Sequence, residues 1–217
     1  MQTEVEAKFL HVDHEKLRAQ LRALGAELVH PMRVMRRVNM DFSDNRLDAV
    51  HGWLRIRDEG NKVALTYKQV NSWDIEGMQE VETIVSDFAA TQQVFEAIGM
   101  HVKSSIESRR ETWTLDGAEV VLDEWPWVDP FFEIEAKDEA KVRDIAGRLG
   151  FDWDNALYGS VEPVYRAQYD ITDPEFYTIA EFAFDQPLPE LLQKRKRPAA
   201  VNPMTLALIS EGLEVKA

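Results

Sequence analysis

The chain has 217 residues, 45% of them hydrophobic and 29% charged, which suits one sizeable core with a tail rather than a string of domains. Asp and Glu number 39 against 25 Lys and Arg, a formal net charge of −14, and this argues against nucleic acid as a partner because such binding rests on neutralising phosphates. There is no cysteine, which excludes a disulfide framework and thiolate catalysis, and no apolar run approaches the roughly 20 residues that would span a bilayer.

In chain order, residues 3–9 alternate so that Glu4, Glu6 and Lys8 share one face of a predicted strand and Val5, Ala7 and Phe9 the other. Asp13 is placed to cap a helix whose Leu17, Leu21 and Leu24 recur at helical spacing until Gly25 ends it. Residues 32–42 read as a strand rich in Arg33, Arg36 and Arg37, followed by a turn at Asp44 and Asn45. Gly60 and Asn61 mark a hairpin between strands 53–57 and 62–69. A second helix begins near Asp87, carries Phe88, Val94, Phe95 and Ile98, and stops at Gly99. A third runs from about Asp138 through Val142, Ile145 and Leu149 to Gly150. Three apolar-faced helices between groups of strands predict an α+β fold in which the helices cover the outside of the sheet.

One charged strand face is ordinarily the solvated side of a half-buried sheet. Here the pattern recurs. Arg55 and Arg57 share a face of strand 53–57, while Lys62, Ala64, Thr66 and Lys68 share a face of 62–69. Glu80 and Glu82 alternate with Val81, Thr83 and Val85; Glu119, Val121 and Asp123 alternate with Val120 and Leu122; Glu133, Glu135 and Lys137 alternate with Phe132, Ile134 and Ala136. Such a set suits a closed antiparallel β-barrel with a wet, charged lumen, since closure removes sheet edges and turns one face of every strand inward.

EVEAK near the N-terminus, LRIR, LTYK, EVE, SRR at 108–110, VVLD and FFEIE follow in an order that resembles the CYTH family of triphosphate tunnel metalloenzymes. That family comprises class IV adenylyl cyclases, thiamine triphosphatases and inorganic triphosphatases. The resemblance implies a tunnel domain over residues 1–170 and a C-terminal extension over 171–217, packed on the barrel or partly flexible. It also implies a divalent-metal-dependent hydrolase of a triphosphate such as tripolyphosphate, ATP or thiamine triphosphate. Cyclisation of ATP to cyclic AMP and pyrophosphate is the alternative reaction, and a non-catalytic nucleotide or polyphosphate-binding module the alternative class. By the same resemblance Glu6, Lys8 and Lys68 are the candidate catalytic residues, and Lys8, Arg55, Arg57, Lys68 and Arg110 the candidate substrate-binding cations.

The chemistry is consistent with those assignments. A triphosphate held away from bulk water needs several fixed cations, and guanidinium contacts phosphate bidentately. Mg²⁺ or Mn²⁺ prefers oxygen ligands, for which Glu4, Glu6, Glu80, Glu82, Asp123, Glu133 and Glu135 are the candidates. Cations and carboxylates interleaved in one lumen also offset each other's desolvation.

Several positions depart from the family's pattern. Arg37 and Asn39 stand where an aspartate and a tyrosine are usual, and Asp129 and Pro130 replace a leucine and glycine turn. Ser108 replaces a lysine two residues before Arg110, so that cation is lost or supplied from elsewhere, with Lys137 and the basic tail as candidate sources. Trp113, Trp125, Trp127 and Trp153, like Trp73, are expected to serve mainly as packing, with Trp125 and Trp127 candidates for a tunnel mouth. The five histidines show no helical metal spacing and are expected on the surface. Residues 158–169 suggest a helix or irregular closing segment, residues 175–184 are aromatic enough to pack back on the barrel, and the basic run Lys194 to Arg197 reads as a solvated tail. The N-terminus lacks a signal peptide's charged and apolar regions, so a cytoplasmic monomer or homodimer, off the membrane, is expected.

Overall fold

The computed structural model describes residues 1–72 and 74–198. Trp73 and the part of the C-terminal extension beyond residue 198 lie outside the described residues. The strands are β1 (Gln2–Glu4), β2 (Glu6–Phe9), β3 (Glu27–Phe42), β4 (Gly52–Asp58), β5 (Val63–Val70), β6 (Met78–Val85), β7 (Met100–Leu115), β8 (Ala118–Glu124), β9 (Phe131–Glu135) and β10 (Glu181–Phe182). The helices are α1 (His14–Ala23), α2 (Phe88–Ala97), α3 (Glu139–Arg148), α4 (Glu162–Gln168), α5 (Asp173–Phe176) and α6 (Glu190–Arg195).

The strand predicted over 3–9 is two strands, and the break closes the fold. β1 pairs with β6 and β2 with β9, while only Val5 separates them. The sheet order is β1-β6-β5-β4-β3-β7-β8-β9-β2, antiparallel throughout, so its two ends belong to one short segment and the sheet curls into a nearly closed barrel. β8 pairs with β7 from Arg109 onward, and the shorter β10 adds to β7 in parallel at Ser105 and Ile106.

Each long helix starts where a side chain satisfies its free N–H groups. Asp13 accepts from the Glu15 and Lys16 amides, Asp87 from Ala90 and Asp138 from Lys141. Beyond α1, Gly25 takes φ +82°, a conformation a side chain would strain. Leu17 and Leu21 of α1 and Val142, Ile145 and Leu149 around α3 then pack on Ala7, Phe9, Trp113, Val120, Leu122, Phe132 and Ile134. The apolar face of these strands therefore points outward under helices, leaving the charged face inside.

Helical cover is less complete than the sequence suggests. α2 sets Phe88 and Phe95 against Met40, Ile56 and Met100, but its Val94 and Ile98 are 60% and 61% exposed. On β6, Val81 and Ile84 are also exposed. A third apolar cluster joins Ile106, Trp125 and Phe131 to Tyr165, Tyr169, Ile171, Phe176, Phe182 and Leu192, so these C-terminal apolar residues pack on the barrel wall. No described helix is long and apolar enough to cross a membrane.

Candidate functional site

Because the strands pair in a fixed register, the inward side chains fall opposite one another in a defined pattern. Arg37 on β3 faces Arg57 on β4, and Asn39 faces Arg55, making one wall cationic. Across β2, β9 and β8, Glu135 stands opposite both Glu6 and Glu119, making another wall acidic. Like charges directly opposite one another are unfavourable unless something of opposite sign comes between them.

Between these walls run mixed pairs. Lys68 Nζ lies 2.6 Å from both carboxylate oxygens of Glu4 and 3.1 Å from Glu80. Lys8 contacts Glu6 at 2.5 Å, Glu133 at 3.5 Å and the carbonyl of Gly159 at 2.6 Å. Arg110 grips Asp123 with two guanidinium nitrogens and reaches Glu133 at 2.9 Å. Arg57 pairs with Glu59 at 2.5 Å, and Arg55 lies 3.8 Å from Glu82, which also accepts from Thr66.

These residues enclose a cavity of about 840 Å³. Of the candidate site residues, Glu4, Glu6, Lys8, Arg55, Arg57, Lys68, Glu80, Glu82, Arg110, Glu133 and Glu135 all line it. Asp123 does not; it is wholly buried behind Arg110 and holds that guanidinium in place. Around the cavity carboxylates outnumber lysines and arginines, so the lumen gains an anion more readily when a cation accompanies it.

The protonation states follow from these neighbours. Burial would lower the Lys8 ammonium, but Glu133 and Glu6 outweigh it and hold it above its ordinary value. Burial would raise Glu133, yet Lys8 and Arg110 bring it down to about 2. Arg55 is lowered to about 10 by burial and then by Arg57. Glu135 is pushed up to about 7 by loss of water and by Glu4, Glu6 and Glu119.

Glu4, Glu6 and Glu135 each offer a carboxylate oxygen, all within 4.8 Å of one another. An all-oxygen donor set with crowded negative charge fits a hard divalent cation, which would relieve the repulsion that raises Glu135. Glu80, Glu82 and Glu133 lie outside this group of three; like Glu4 on Lys68 and Glu6 on Lys8, each has partners of its own, Glu80 with Lys68, Glu82 with Thr66, Arg55 and Lys62, and Glu133 with Lys8 and Arg110.

Other expectations are corrected. Neither Lys137 nor the basic run supplies a lumen cation: Lys137 lies past the end of β9 with its side chain 81% exposed, paired to Asp138. Lys194, Arg195 and Arg197 pair with Glu190, Glu175 and Asp170 on the surface. The cation beside Ser108 is Arg37, whose guanidinium donates to the serine hydroxyl. His14 is buried against the Phe131 carbonyl rather than exposed, while His11, His51 and His101 are exposed as expected, with His30 half-buried and His30 and His51 at the cavity's edge. Trp125 lines the cavity, while Trp127 packs against Phe182. Glu59, only 3% exposed and shared by Arg57, Arg33 and Lys62, was not legible in the sequence because it sits in a hairpin turn, where alternation carries no signal. Phe176 and Phe182, within the aromatic stretch expected to pack back on the barrel, do so and complete the lining from the C-terminal segment.

The CYTH domain family model matches residues 2–160. A protein from Pyrococcus horikoshii OT3 superposes with a TM-score of 0.62 at 22% identity, over 74% of this chain and 98% of that one. A Vibrio parahaemolyticus protein named as a candidate adenylate cyclase gives 0.66 at 15% identity, over 76% and 99%. A Hippeastrum protein, named as a candidate adenylyl cyclase and described with a dominant triphosphatase activity, gives 0.52 at 17%, over 76% and 95%. No curated protein matches the chain. The solved structures share the barrel fold, and the family match spans β1 to β9: this chain belongs to the CYTH family.

Proposed function

We propose that the chain hydrolyses a phosphoanhydride bond of an inorganic or organic triphosphate with the help of Mg²⁺ or Mn²⁺. The observation that carries this reading is the division of the lumen into a cationic wall, Arg37, Arg55 and Arg57, and an acidic one, Glu4, Glu6, Glu119 and Glu135. A phosphate chain carries negative charge that the first wall complements, and its accompanying metal ion complements the second.

On this reading ligand binding is an exchange of partners. Lys68, now on Glu4, and Lys8, now on Glu6, turn to phosphoryl oxygens, and Glu4, Glu6 and Glu135 are the residues that would hold the cation. The exchange keeps buried charges compensated, which is the condition for a charged lumen to accept a charged ligand without a large desolvation cost. The bound divalent ion would supply charge neutralisation on the phosphoryl oxygens. Arg55, Arg57 and Arg110 orient the chain and stabilise charge that grows on the leaving phosphate. Lys8, which keeps Glu133 beside it when Glu6 turns to the cation, stays protonated and acts as a fixed positive charge rather than as a base. Water attacks phosphorus, the bridging P–O bond breaks, and the water's proton leaves to solvent or phosphate.

Cyclisation of ATP is the second reading, favoured by a cavity whose volume exceeds what a bare triphosphate fills and whose lining includes the apolar Val70, Met78, Ile106, Phe176 and Phe182. The deciding experiment incubates the protein with tripolyphosphate, ATP or thiamine triphosphate and Mg²⁺ or Mn²⁺, following phosphate, pyrophosphate and cyclic AMP separately. Phosphate release supports hydrolysis, cyclic AMP with pyrophosphate supports cyclisation, and tight binding without turnover supports a binding module.

A further inference from the structure

Among the buried cations of the lumen, Lys8, Arg55 and Lys68 each have a carboxylate partner, whereas Arg37, 6% exposed, makes no ion pair among the described residues. Its guanidinium donates to the Ser108 hydroxyl and lies over the Trp125 ring, 4.7 Å from the centroid. Neither contact supplies negative charge. Burial first, and then Arg57, Arg55 and Arg110, outweigh the opposing pull of Asp123 and bring Arg37 well below its ordinary pKa. Two N–H donors at this point, Arg37 Nε and the Trp125 indole Nε1, are buried and have no hydrogen-bond acceptor among the described residues. A buried guanidinium with no carboxylate in contact, its own Nε and the neighbouring indole N–H both unsatisfied, is costly, and an anionic oxygen acceptor reduces both costs together.

We propose that Arg37, assisted by the indole N–H of Trp125, forms an anion subsite that receives a phosphoryl oxygen of the triphosphate, supplying from β3 the cation that position 108 lacks. This rests on the triphosphate reading above and adds to it a specific residue pair. Arg37 sits opposite Arg57 in the β3–β4 register, so the two guanidinium groups bracket one stretch of lumen. Ser108, with no exposed surface, is short enough for Arg37 to lie across it, where a longer side chain would compete for the space.

The test is calorimetric binding of tripolyphosphate with Mg²⁺ to wild type, Arg37→Gln, Trp125→Phe and the double variant Arg37→Gln with Ser108→Lys, each checked by thermal melting. Arg37→Gln should weaken binding about tenfold or more while melting no lower than wild type, since it removes an unpaired buried charge. Trp125→Phe should weaken binding by a smaller factor, and Ser108→Lys should recover affinity in the Arg37→Gln background by returning a cation to the same place. Wild-type affinity in Arg37→Gln overturns the subsite and leaves the triphosphate reading standing. Absence of binding to wild type, with ATP and thiamine triphosphate also failing, overturns both.

Discussion

Lys68 and Glu4, 64 positions apart in sequence, meet with the ammonium 2.6 Å from both carboxylate oxygens, across the strand β6 that lies between theirs. The pair links the acidic wall to the cationic strands, and its partners are those that a metal ion and a phosphate would exchange. Glu4→Gln and Glu6→Gln keep size and hydrogen-bonding capacity but remove charge from the three-carboxylate group. Both should raise the Mg²⁺ or Mn²⁺ concentration needed for half-maximal rate by about tenfold or more, the loss of roughly 1.4 kcal/mol of metal binding. Metal titrations of the rate check this, and unchanged curves would remove the two residues from the metal site.

Glu133 separates from that pair. It bridges Lys8 and Arg110 rather than joining Glu4, Glu6 and Glu135, so Glu133→Gln should lower the melting temperature and the maximal rate without moving the metal requirement. Losing one member of a buried ionic network costs on the order of 3 kcal/mol. A shifted metal curve in this variant would place Glu133 among the metal ligands.

The raised Glu135 gives metal binding a pH dependence of definite sign. With its carboxyl at about 7, the metal-free protein carries a proton there below neutrality, and a divalent ion must displace it. Metal affinity should therefore strengthen as pH rises from 6 to 8. Calorimetry in buffers of different ionisation heat should show proton release at pH 6.5, and Glu135→Gln should flatten that dependence.

Arg57 is held by Glu59, which keeps Arg33 and Lys62 when Arg57 is removed. Arg57→Ala should consequently fold and melt near wild type, because its loss also relieves repulsion on Arg55 and Arg37. Triphosphate affinity should fall about tenfold or more, since each such factor is roughly 1.4 kcal/mol and a charge-assisted phosphate contact contributes at least that. Unchanged binding would show that Arg57 does not reach the ligand.

Phe182, 2% exposed, joins β10 to Trp127, Tyr165 and Phe176 and also forms part of the cavity lining. Phe182→Ala should cost about 3–5 kcal/mol and lower the melting temperature by about 10 °C. A thermal melt measures it. A shift of only a degree or two would mean that the C-terminal segment contributes little to holding the wall.

Alternation determined much of this protein before any fold was known. Glu4, Glu6 and Lys8 share a face in any strand conformation, as do Arg55 with Arg57 and Glu133 with Glu135, because side chains repeat every second residue. The three helices were equally legible, since Asp13, Asp87 and Asp138 satisfy amides that every helix start leaves free. The recurrence of charged faces and the apolar helices argued for a charged interior, and tertiary structure fixed it. That follows from closure at Val5, which makes one segment pair with both β6 and β9, a long-range event with no local signature. Register then decided which charges oppose: Arg37 meets Arg57 and Glu6 meets Glu135 only because distant strands align, with irregularities along the β3–β7 pairing that no spacing rule contains. Arg37 could be counted among the charges from sequence, but its lack of a carboxylate partner arises from the packing of Ser108 and Trp125 around it, and contacts between strands, unlike periodicity within one, are set by the fold as a whole.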